Sequence, residues 1–461
     1  MLQPLTEVRD PLHGAITLDA SELSILDHSL VQRLRHIKQL GFSDLSFPGA
    51  THNRYLHSVG AMHLGGKAFD ALFGHGPASS IPASRRASLR RLVRTAALLH
   101  DVGHAPFSHA SEFAMPMLAD LDVGAYRGQP DLYPGERQAT HEDYTVKIIT
   151  DSSLTAVLEE HCQLPAGAVA GLIDPKLPVE PSWYEADGVN WRPLLQQLIS
   201  SELDVDRMDY LARDSHFAGV HYGVFDVGWL MNHLGYHLVD DSAYLALEGR
   251  AIYAFDDFLI ARYHMFLMVY FHHRSVGYEE MLKRYLRGGG DGYALPSAVE
   301  DYADYDDNQL TSHLRGSQDE WARRIVERRE YKLLIEQHGD PSEIDLSPAL
   351  GRLKAEGIPT ITAASKGVLS KYFARRQESQ DVGQGTLPLG VSASSVSAVG
   401  SGTPPIFVLQ TPYRGAENRL ATQLEESTDL FDRYARQLLF SRIYVPPEQL
   451  DRASELMAGI H

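Results

Sequence analysis

The sequence predicts a mainly α-helical fold with a smaller mixed α/β part towards the C-terminal end. Apolar residues recur at helical spacing through most of the first 290 residues, where few segments have the alternation of a strand. The pattern then changes, because a Ser/Gly/Pro-rich stretch at 377–405 precedes two short β-like runs. At 461 residues, the chain is long enough to bury a large core and to form more than one structural unit.

Each predicted helix rests on apolar residues that share one helical face. The predicted helices cover 29–40, 54–72, 88–99, 194–213, 257–277 and 420–439. The predicted strands in the C-terminal part cover 406–409 and 443–445. The resulting division is a helical core at 1–290, a helical extension at 291–376, a linker or mobile loop at 377–405 and a small α/β element at 406–461.

Composition narrows the class of protein. The formal net charge is −18, and an acidic surface repels polyphosphate backbones, so nucleic acid is not expected as the main ligand. The single cysteine, Cys162, excludes an internal disulfide framework and fits a reducing compartment. The first ten residues lack the features of a signal peptide, and charged residues interrupt the longest apolar segment, 255–270. We therefore expect a cytoplasmic protein without a membrane span.

Three histidines and an aspartate fall within ten residues, directly after an apolar helical run. His100 and Asp101 are adjacent and end that run, and His104 and His109 follow. Imidazole and carboxylate together suit a borderline divalent metal such as iron, manganese or zinc. A metal beside further histidines is suited to activating water. The alternative is a polar helix end with unrelated surface histidines.

A second helix offers a partner for this segment. Arg54 and His57 are three residues apart, so one helical face would carry a metal ligand and a phosphate-binding guanidinium. Alternatively, His57 is an ordinary core or surface histidine.

A third helix carries a row of polar residues. Asp206, Tyr210 and Asp214 lie at positions i, i+4 and i+8, one above another on a helix. Such a row can reach a metal, a sugar edge and a hydroxyl. The competing interpretation is a solvated acidic face, which is common in so acidic a chain.

Further candidates for proton transfer follow the first histidine segment. His109 and Glu112 are three residues apart, and a carboxylate can orient an imidazole and raise its basicity. His141 is another candidate, although each histidine taken alone is also compatible with an exposed surface position.

Arg262 interrupts an otherwise apolar helix. A buried cation is costly without an anionic partner. That partner is either a phosphate or one of the many carboxylates of the chain.

The order His57, His100-Asp101, Asp206 resembles the H…HD…D metal signature of the HD superfamily. Four further stretches resemble its deoxynucleoside-triphosphate triphosphohydrolase branch: RDPLHG at 9–14, QRLRHIKQLG at 32–41, FPGATHNR at 47–54 and DVDRMDYLARD at 204–214. The resemblance covers about residues 7–280, and the part after 290 matches only loosely.

The resemblance implies an HD-domain helical core that hydrolyses a deoxynucleoside triphosphate (dNTP) to a deoxynucleoside and inorganic triphosphate. The implied metal ligands are His57, His100, Asp101 and Asp206. The residues implied to line the reacting phosphate are His104, His109, Glu112 and His141. The residues implied to bind substrate are Gln39, Arg54, Arg207, Tyr210, Asp214, Arg262 and Tyr270.

Within the last set, the three arginines and Tyr210 would hold phosphates. Gln39 and Asp214 would face the sugar, with Asp214 accepting a hydrogen bond from the 3′-hydroxyl. Tyr270 would pack where a 2′-hydroxyl would otherwise sit. The mixed nitrogen and oxygen donors permit iron, manganese or zinc, and magnesium is expected to accompany the triphosphate.

Several positions depart from the family pattern. Arg207 stands where some relatives have lysine, and Glu112 stands where some have aspartate. Phe266 stands where a relative has histidine, so contacts on the base side are expected to differ.

The resemblance also implies a homo-oligomer, either a dimer or a tetramer, with an activating nucleotide at Asp27, Gln32 and Arg35. Thr6 and Glu7 do not match the basic and apolar pair found there in a relative. The alternative is that Asp27, Gln32 and Arg35 only cap and solvate a helix.

Two other functions stay open from the sequence. The first alternative is another HD-type nucleotidase or phosphodiesterase that acts on a different nucleotide. The second alternative is a non-catalytic nucleotide sensor. The intact proton-transfer pair His109 and Glu112 argues against the sensor, because pure binding does not require it.

Overall fold

The computed structural model of the chain describes residues 6–74, 77–339, 344–367, 404–410, 420–428, 430 and 438–458. Helices dominate, as predicted, and a smaller set of strands accompanies them. The α-helices are α1 (Ala20–Leu26), α2 (Ser29–Gln32), α3 (Arg54–Phe73), α4 (Ala83–Leu99), α5 (Leu118–Leu121), α6 (His141–Thr150), α7 (Ser153–Ala156), α8 (Ala166–Ile173), α9 (Arg192–Ile199), α10 (Val205–Ala218), α11 (Val227–Asn232), α12 (Ile252–Met265), α13 (His273–Arg287), α14 (Asp307–Gly316), α15 (Glu320–Val326), α16 (Ser347–Ala355) and α17 (Leu450–Met457).

The strands within the described residues form three sheets. They are β1 (Thr6–Asp10), β2 (Gly14–Leu18), β3 (Glu185–Ala186), β4 (Val189–Asn190), β5 (Leu234–Val239), β6 (Ser242–Glu248), β7 (Lys332–Gly339), β8 (Ile361–Gly367), β9 (Phe407–Gln410), β10 (Leu420–Gln423) and β11 (Leu438–Val445). β1 and β2 form an antiparallel hairpin, and β7, β11 and β8 form an antiparallel sheet. The third sheet has the order β10-β9-β6-β4-β3, with β5 also paired to β6.

The helical core is built around α3, which packs against α4 and α10. α3 is buried along most of its length. The apolar residues that share one face of α4 are buried, whereas its first turn is largely exposed. This burial fixes the end of α4 deep in the core, where the predicted metal segment begins. None of the described helices is long and apolar enough to cross a bilayer.

A second, smaller apolar cluster lies in the C-terminal part. It joins Ile443 and Val445 of β11 to Ala349 and Leu353 of α16 and Ala453 of α17. The C-terminal part also reaches the core directly, because β9 pairs in parallel with β6.

Some predicted elements differ from the structure. The helices predicted at 54–72 and 88–99 are confirmed as α3 and α4, whereas 194–213 forms two helices, α9 and α10. The 29–40 segment forms the short α2 and then a 3-10 helix, Arg33–His36. The long helix predicted at 257–277 is interrupted, because α12 runs into a π-helical turn, Phe266–Tyr270, before α13 begins.

Two further predictions were wrong in physical ways that the structure explains. The expectation of few strands before residue 290 missed the β1–β2 hairpin and the β5–β6 hairpin, the second of which turns at Asp240 with a φ of 51°. The helix predicted at 420–439 begins as strand β10, because this segment pairs with β9. Most of the predicted linker at 377–405 lies outside the described residues.

Candidate active site

Local chain chemistry fixes where the predicted metal ligands point. The side chain of Asn53 accepts a hydrogen bond from the backbone N–H of Leu56 at 3.1 Å, so α3 begins at Arg54. This places His57 in the first turn of α3. α4 ends at Leu99, and His100 follows as its C-cap. Both imidazoles therefore stand at helix ends, and their ring centroids lie 5.2 Å apart.

The third helix end is fixed in the same way. Asp204 accepts a hydrogen bond from the backbone N–H of Arg207 at 2.8 Å and caps α10. Asp206 then lies in the first turn. In the predicted row, Asp214 is only 2% exposed, whereas the side chain of Asp206 is 32% exposed. A solvated acidic face along the whole row is therefore excluded.

These helix ends bring four predicted ligands together, and we call His57, His100, Asp101 and Asp206 the primary cluster. His57 Nε2 lies 3.0 Å from Asp206 Oδ1 and 3.3 Å from His100 Nε2. His100 Nε2 lies 3.4 Å from Asp206 Oδ1 and 3.5 Å from Asp101 Oδ1. A borderline divalent metal prefers a mixed set of nitrogen and oxygen donors that converge in this way.

The outer nitrogens of the two imidazoles are held by other groups. His57 Nδ1 donates to Asp209 at 2.9 Å, and His100 Nδ1 donates to the carbonyl of Ala97 at 2.8 Å. Each bond leaves Nε2 directed to the centre, as in metal-binding histidines. Burial lowers the pKa of His57, but hydrogen bonds with Asp206 and Asp209 outweigh burial and raise the pKa to about 10. The cluster thus attracts positive charge, and a divalent cation fits it.

Asp209 was not among the predicted site residues, and it is the centre of a buried network. Its carboxylate accepts hydrogen bonds from His13 at 2.6 Å and from Arg213 at 2.8 and 2.9 Å. Arg213 also donates to Asp10 at 2.9 Å. The sequence signal was present, because His13 belongs to the RDPLHG motif and Arg213 is four residues from Asp209 on α10.

A glycine allows this network to form. A Cβ atom at position 60 of α3 would lie 2.1 Å from Asp209 Oδ1 and 2.3 Å from a guanidinium nitrogen of Arg213. Gly60 therefore lets α3 and α10 approach closely enough for Asp209 to reach His57.

The histidine cluster consists of His104, His109, Glu112 and His141. One carboxylate oxygen of Glu112 bonds His141 Nδ1 at 2.6 Å and His109 Nδ1 at 3.0 Å. The rings of His104 and His141 stack at 3.9 Å. One ligand atom from each residue lies within 4.8 Å of the others, although the shared carboxylate accounts for this proximity without a cation.

Burial and nearby charges shift the pKa values of Glu112, His141 and His104 in different ways. Burial raises the pKa of Glu112, but hydrogen bonds from His109 and His141 outweigh it and hold the pKa well below its usual range. Burial lowers the pKa of His141, but Glu112 outweighs it and raises the pKa above 6.5. Burial and then the charge of Arg54 lower the pKa of His104 well below its usual value. The two stacked imidazoles therefore have pKa values shifted in opposite directions.

The two clusters touch through Asp101. His104 Nε2 lies 3.2 Å from Asp101 Oδ1, and Arg54 donates to Asp101 Oδ2. Arg54 also donates to the hydroxyl of Ser108 at 2.8 and 3.0 Å. Phe107 and Ser108 have φ values of 53° and 58°, a left-handed conformation that costs energy in residues other than glycine. Such strain clusters at functional sites.

The other predicted phosphate-binding arginines contact carboxylates. Arg207 bonds Asp204, and Arg262 donates to Glu202 at 3.0 Å. The sequence left the anionic partner of Arg262 as either a phosphate or a carboxylate, and in the structure a carboxylate contacts it.

The far end of the α10 row carries the predicted sugar contacts. Asp214 accepts a hydrogen bond from the phenol of Tyr270 at 2.8 Å and from His52 Nε2 at 2.7 Å. Burial and then the charge of Asp214 raise the pKa of Tyr270 well above its usual value, so the phenol keeps its proton. Tyr210 lies between the two ends, with its ring 6.5 Å from that of His57 and 6.2 Å from that of Tyr270. His52 was missed by the sequence analysis.

Gln39 and the predicted regulatory residues lie elsewhere along the N-terminal segment. The backbone N–H of Gln39 donates to the carbonyl of His52 at 3.0 Å. Arg35 donates to the side chain of Gln32 at 2.7 Å and stacks over the ring of Tyr55. Asp27 is the C-cap of α1.

Family comparison agrees with this geometry. Residues 54–214 match the HD domain family, and residues 225–345 match the HD associated region. The chain is an HD-domain protein. The HD match begins at the first residue of α3 and ends at Asp214, so it spans the primary cluster and the whole α10 row.

Curated relatives of this HD-domain protein include enzymes and uncharacterised proteins. It is 30% identical over 341 residues to an uncharacterised protein of Methanocaldococcus jannaschii, covering 74% of this chain and 61% of the relative. It is 29% identical over 390 residues to the deoxynucleoside triphosphate triphosphohydrolase SAMHD1 of Homo sapiens, covering 78% of this chain and 59% of that enzyme. The HD-domain protein spans less than two thirds of the length of these relatives.

Solved structures share the fold. A hypothetical protein of Aquifex aeolicus matches with a TM-score of 0.69 and 23% identity, covering 98% of this chain and all of that one. A phosphohydrolase of Bacteroides thetaiotaomicron matches with a TM-score of 0.66 and 22% identity, covering 96% of this chain and 100% of that one. At these identities the likeness concerns the fold of the HD-domain protein.

Proposed function

We propose that this chain hydrolyses dNTPs to a deoxynucleoside and inorganic triphosphate, with a divalent metal held by the primary cluster. One observation carries the proposal: three groups of side chains adjoin one another in the order that this reaction needs. The primary cluster touches the histidine cluster through Asp101 and His104, 3.2 Å apart. The α10 row then leads from Asp206 to the hydrogen-bonded pair of Asp214 and Tyr270.

The metal ligands proposed are the four residues of the primary cluster, and iron, manganese or zinc suits their donors. Such a metal supplies a Lewis acid for a phosphate oxygen and promotes the ionisation of water. Asp209 and the carbonyl of Ala97 keep the two imidazoles oriented towards it. Magnesium is proposed to accompany the triphosphate, as it commonly does with phosphates.

Arginines neutralise the triphosphate in this proposal. A guanidinium has five N–H donors, so the bond from Arg207 to Asp204 leaves donors for a phosphate oxygen. Arg54 and Arg262 also each donate to a carboxylate, which holds the guanidinium in position. They give a local positive field within a chain whose net charge is −18.

The histidine cluster supplies the proton. Nδ1 of His109 donates to Glu112, which leaves Nε2 to protonate the departing 5′-oxygen. The side chain of His109 is 48% exposed, so the ring can reach a substrate and exchange protons with solvent. General acid assistance of this kind contributes about 10²- to 10⁴-fold in rate.

The sugar is proposed to lie against Gln39, Asp214 and Tyr270. Gln39 Oε1 is buried, and no hydrogen-bond donor reaches it within the described part of the chain, so it can accept from a sugar hydroxyl. Asp214 is proposed to accept from the 3′-hydroxyl. Tyr270 is fixed by its bond to Asp214, and its ring is proposed to occupy the space that a 2′-hydroxyl would need.

Product analysis tests the reaction. Incubation of the protein with each of the four dNTPs and the matching ribonucleotides, with Mn²⁺ or Mg²⁺, should release inorganic triphosphate from the dNTPs. Orthophosphate or pyrophosphate as product would instead assign another nucleotidase activity. Binding without turnover under any metal would assign a nucleotide sensor. Asp206→Asn should abolish release, whereas Asp70→Asn, at the exposed far end of α3, is the matched control.

Pairs of nucleotides test regulation. An activating nucleotide is proposed at Asp27, Gln32 and Arg35 of a dimer or tetramer. One nucleotide should then accelerate hydrolysis of another, and the mass measured by light scattering should rise with it. Arg35→Ala should remove the acceleration without changing basal turnover.

A further inference from the structure

The helical run that contains Tyr270 is interrupted just after this residue. The antiparallel sheet of β7, β11 and β8, here called the C-terminal sheet, bridges this break. α12 ends at Met265 and continues as the single π-helical turn Phe266–Tyr270, and α13 begins only at His273. Carbonyls at such a break lose their helical partners. π-helical turns inside helices occur frequently at functional sites.

Strand β11 supplies donors at this break. A guanidinium nitrogen of Arg442 donates to the carbonyl of Phe271 at 2.8 Å, and the phenol of Tyr444 donates to the carbonyl of His273 at 2.9 Å. Arg442 is 2% exposed and Tyr444 is fully buried. These donors lie 171 residues from their acceptors in sequence.

The two faces of β11 have different partners. Side chains two residues apart on a strand share a face. Arg442 and Tyr444 share the face that contacts the break, and the ring of Phe440 lies 6.0 Å from the ring of Phe271 on that side. Ile443 and Val445, on the opposite face, belong to the apolar cluster with α16 and α17.

The neighbouring strands hold Arg442 in place. Its Nε donates to Glu336 of β7, and another nitrogen donates to the hydroxyl of Ser365 of β8 at 3.2 Å. Tyr444 packs closely against α13. A Cβ atom added at Gly277 of this helix would lie 3.4 Å from the Tyr444 ring. The whole sheet is therefore fixed against the residues that follow Tyr270.

We propose that the C-terminal sheet positions Tyr270 through the carbonyls of Phe271 and His273, and so sets the discrimination between deoxyribose and ribose. Arg442 and Tyr444 are positioning residues, since they act on Tyr270 through the backbone. The consequence for substrate choice rests on the proposed function, in which Tyr270 occupies the space of a 2′-hydroxyl. The tie of Tyr270 to Asp214 at 2.8 Å transmits any shift of the break to the sugar side of the site.

The test compares Tyr444→Phe and Arg442→Lys with the control Ile443→Val, which alters the opposite face of the same strand. kcat and KM are measured for one dNTP and for the ribonucleotide of the same base. Loss of one hydrogen bond should lower the ratio of kcat/KM for deoxy over ribo substrate by about three- to tenfold. Ile443→Val should leave the ratio unchanged, because a general loss of structure lowers kcat/KM for both substrates equally.

Hydrogen exchange gives a readout that does not depend on activity. The backbone N–H of Phe271 donates to Phe266 and that of His272 donates to Val269. Both amides should exchange faster in Tyr444→Phe and Arg442→Lys than in Ile443→Val. Unchanged exchange in those two variants would overturn the positioning role.

The two proposals fail in different ways. Faster exchange with an unchanged deoxy to ribo ratio, in a wild-type enzyme that releases triphosphate from dNTPs, would overturn the link to sugar choice. A wild-type protein that releases no triphosphate from any dNTP would overturn the proposed function, and the exchange result would still decide the positioning role.

Discussion

The carboxylate of Asp209 accepts a hydrogen bond from Nδ1 of His57 at 2.9 Å, while both groups are fully buried. Burial raises the pKa of Asp209, but hydrogen bonds from His13, His57 and Arg213 outweigh it and hold the pKa well below its usual range. Asp209 is therefore a fixed negative charge that sets the tautomer and the orientation of the imidazole. The N-terminal hairpin takes part in this arrangement, because His13 lies in the loop between β1 and β2.

The first prediction concerns metal affinity. Asp209→Asn should weaken binding of Mn²⁺ by about 10- to 100-fold, because an amide orients His57 less strongly than a carboxylate does. Isothermal titration with the metal measures this directly. Glu22→Gln is the matched control, since Glu22 is another buried carboxylate, and its oxygens accept hydrogen bonds from Arg94 and from the backbone N–H of Asp19. Equal affinities in the two variants would contradict the orienting role.

The second prediction ranks three histidines. His100→Ala should abolish turnover and bound metal together, because it removes a ligand. His109→Ala should keep its metal and lose about 10²- to 10⁴-fold in kcat, the usual contribution of a general acid. His141→Ala should be less damaging than His100→Ala. Metal content by mass spectrometry, measured beside kcat, separates the cases, and near wild-type turnover in His109→Ala would show that another group is the acid.

The third prediction concerns stability and pH. The lowered pKa of Glu112 contributes stability above its unfolded value of 4.5, and this is lost as pH falls. The raised pKa of His141 contributes stability below its unfolded value of 6.5, and this is lost as pH rises through the folded value. Both contributions are therefore present between about pH 4.5 and 6.5.

Glu112→Gln should consequently reduce the free energy of unfolding by about 2 kcal/mol inside that window and by less outside it. Urea denaturation at a series of pH values measures the difference. Glu160→Gln, at an exposed carboxylate, should give a flat and small difference. A flat difference for Glu112→Gln as well would mean that the shared bond to the two imidazoles contributes nothing to stability.

The sequence predicted those parts of the site that depend on local chemistry. Apolar periodicity predicts α3 and α4, and the resemblance to the HD superfamily implies the four residues of the primary cluster. Asp204 could also have been identified as a helix start, since an aspartate before a helical run is a common N-cap. That signal would have divided 194–213 at the correct place.

Other features depend on contacts between distant segments. The break after Tyr270 is bridged by Arg442 and Tyr444, which no local pattern near Tyr270 reveals. The side chain of Arg33 donates hydrogen bonds to the carbonyls of Tyr305 and His104, which lie far away in sequence. The helix predicted at 29–40 therefore ends early. The orienting role of Asp209 likewise depends on the approach of α3 to α10.

The fourth prediction concerns Gly103, which lies between the primary and histidine clusters in sequence. A Cβ at this position would lie 2.2 Å from the carbonyl oxygen of His141 and 2.4 Å from the backbone nitrogen of Thr145. Both are backbone atoms of α6, so the loop or the helix must move. Gly103→Ala should therefore cost about 1–3 kcal/mol in the free energy of unfolding, the usual cost of overpacking.

The control for Gly103→Ala has the opposite expected sign. Gly351 is exposed in the interior of α16 with nothing within 4 Å of an added Cβ, so Gly351→Ala should stabilise the protein by about 0.5–1 kcal/mol. Gly103→Ala should also lower turnover, because the loop carries His104, whose ring stacks on His141 at 3.9 Å. Thermal unfolding and kcat measured on both variants check the pair. If Gly103→Ala matched the wild type in both, the loop would not pack against α6 as described, and the contact between the two clusters would lose its structural basis.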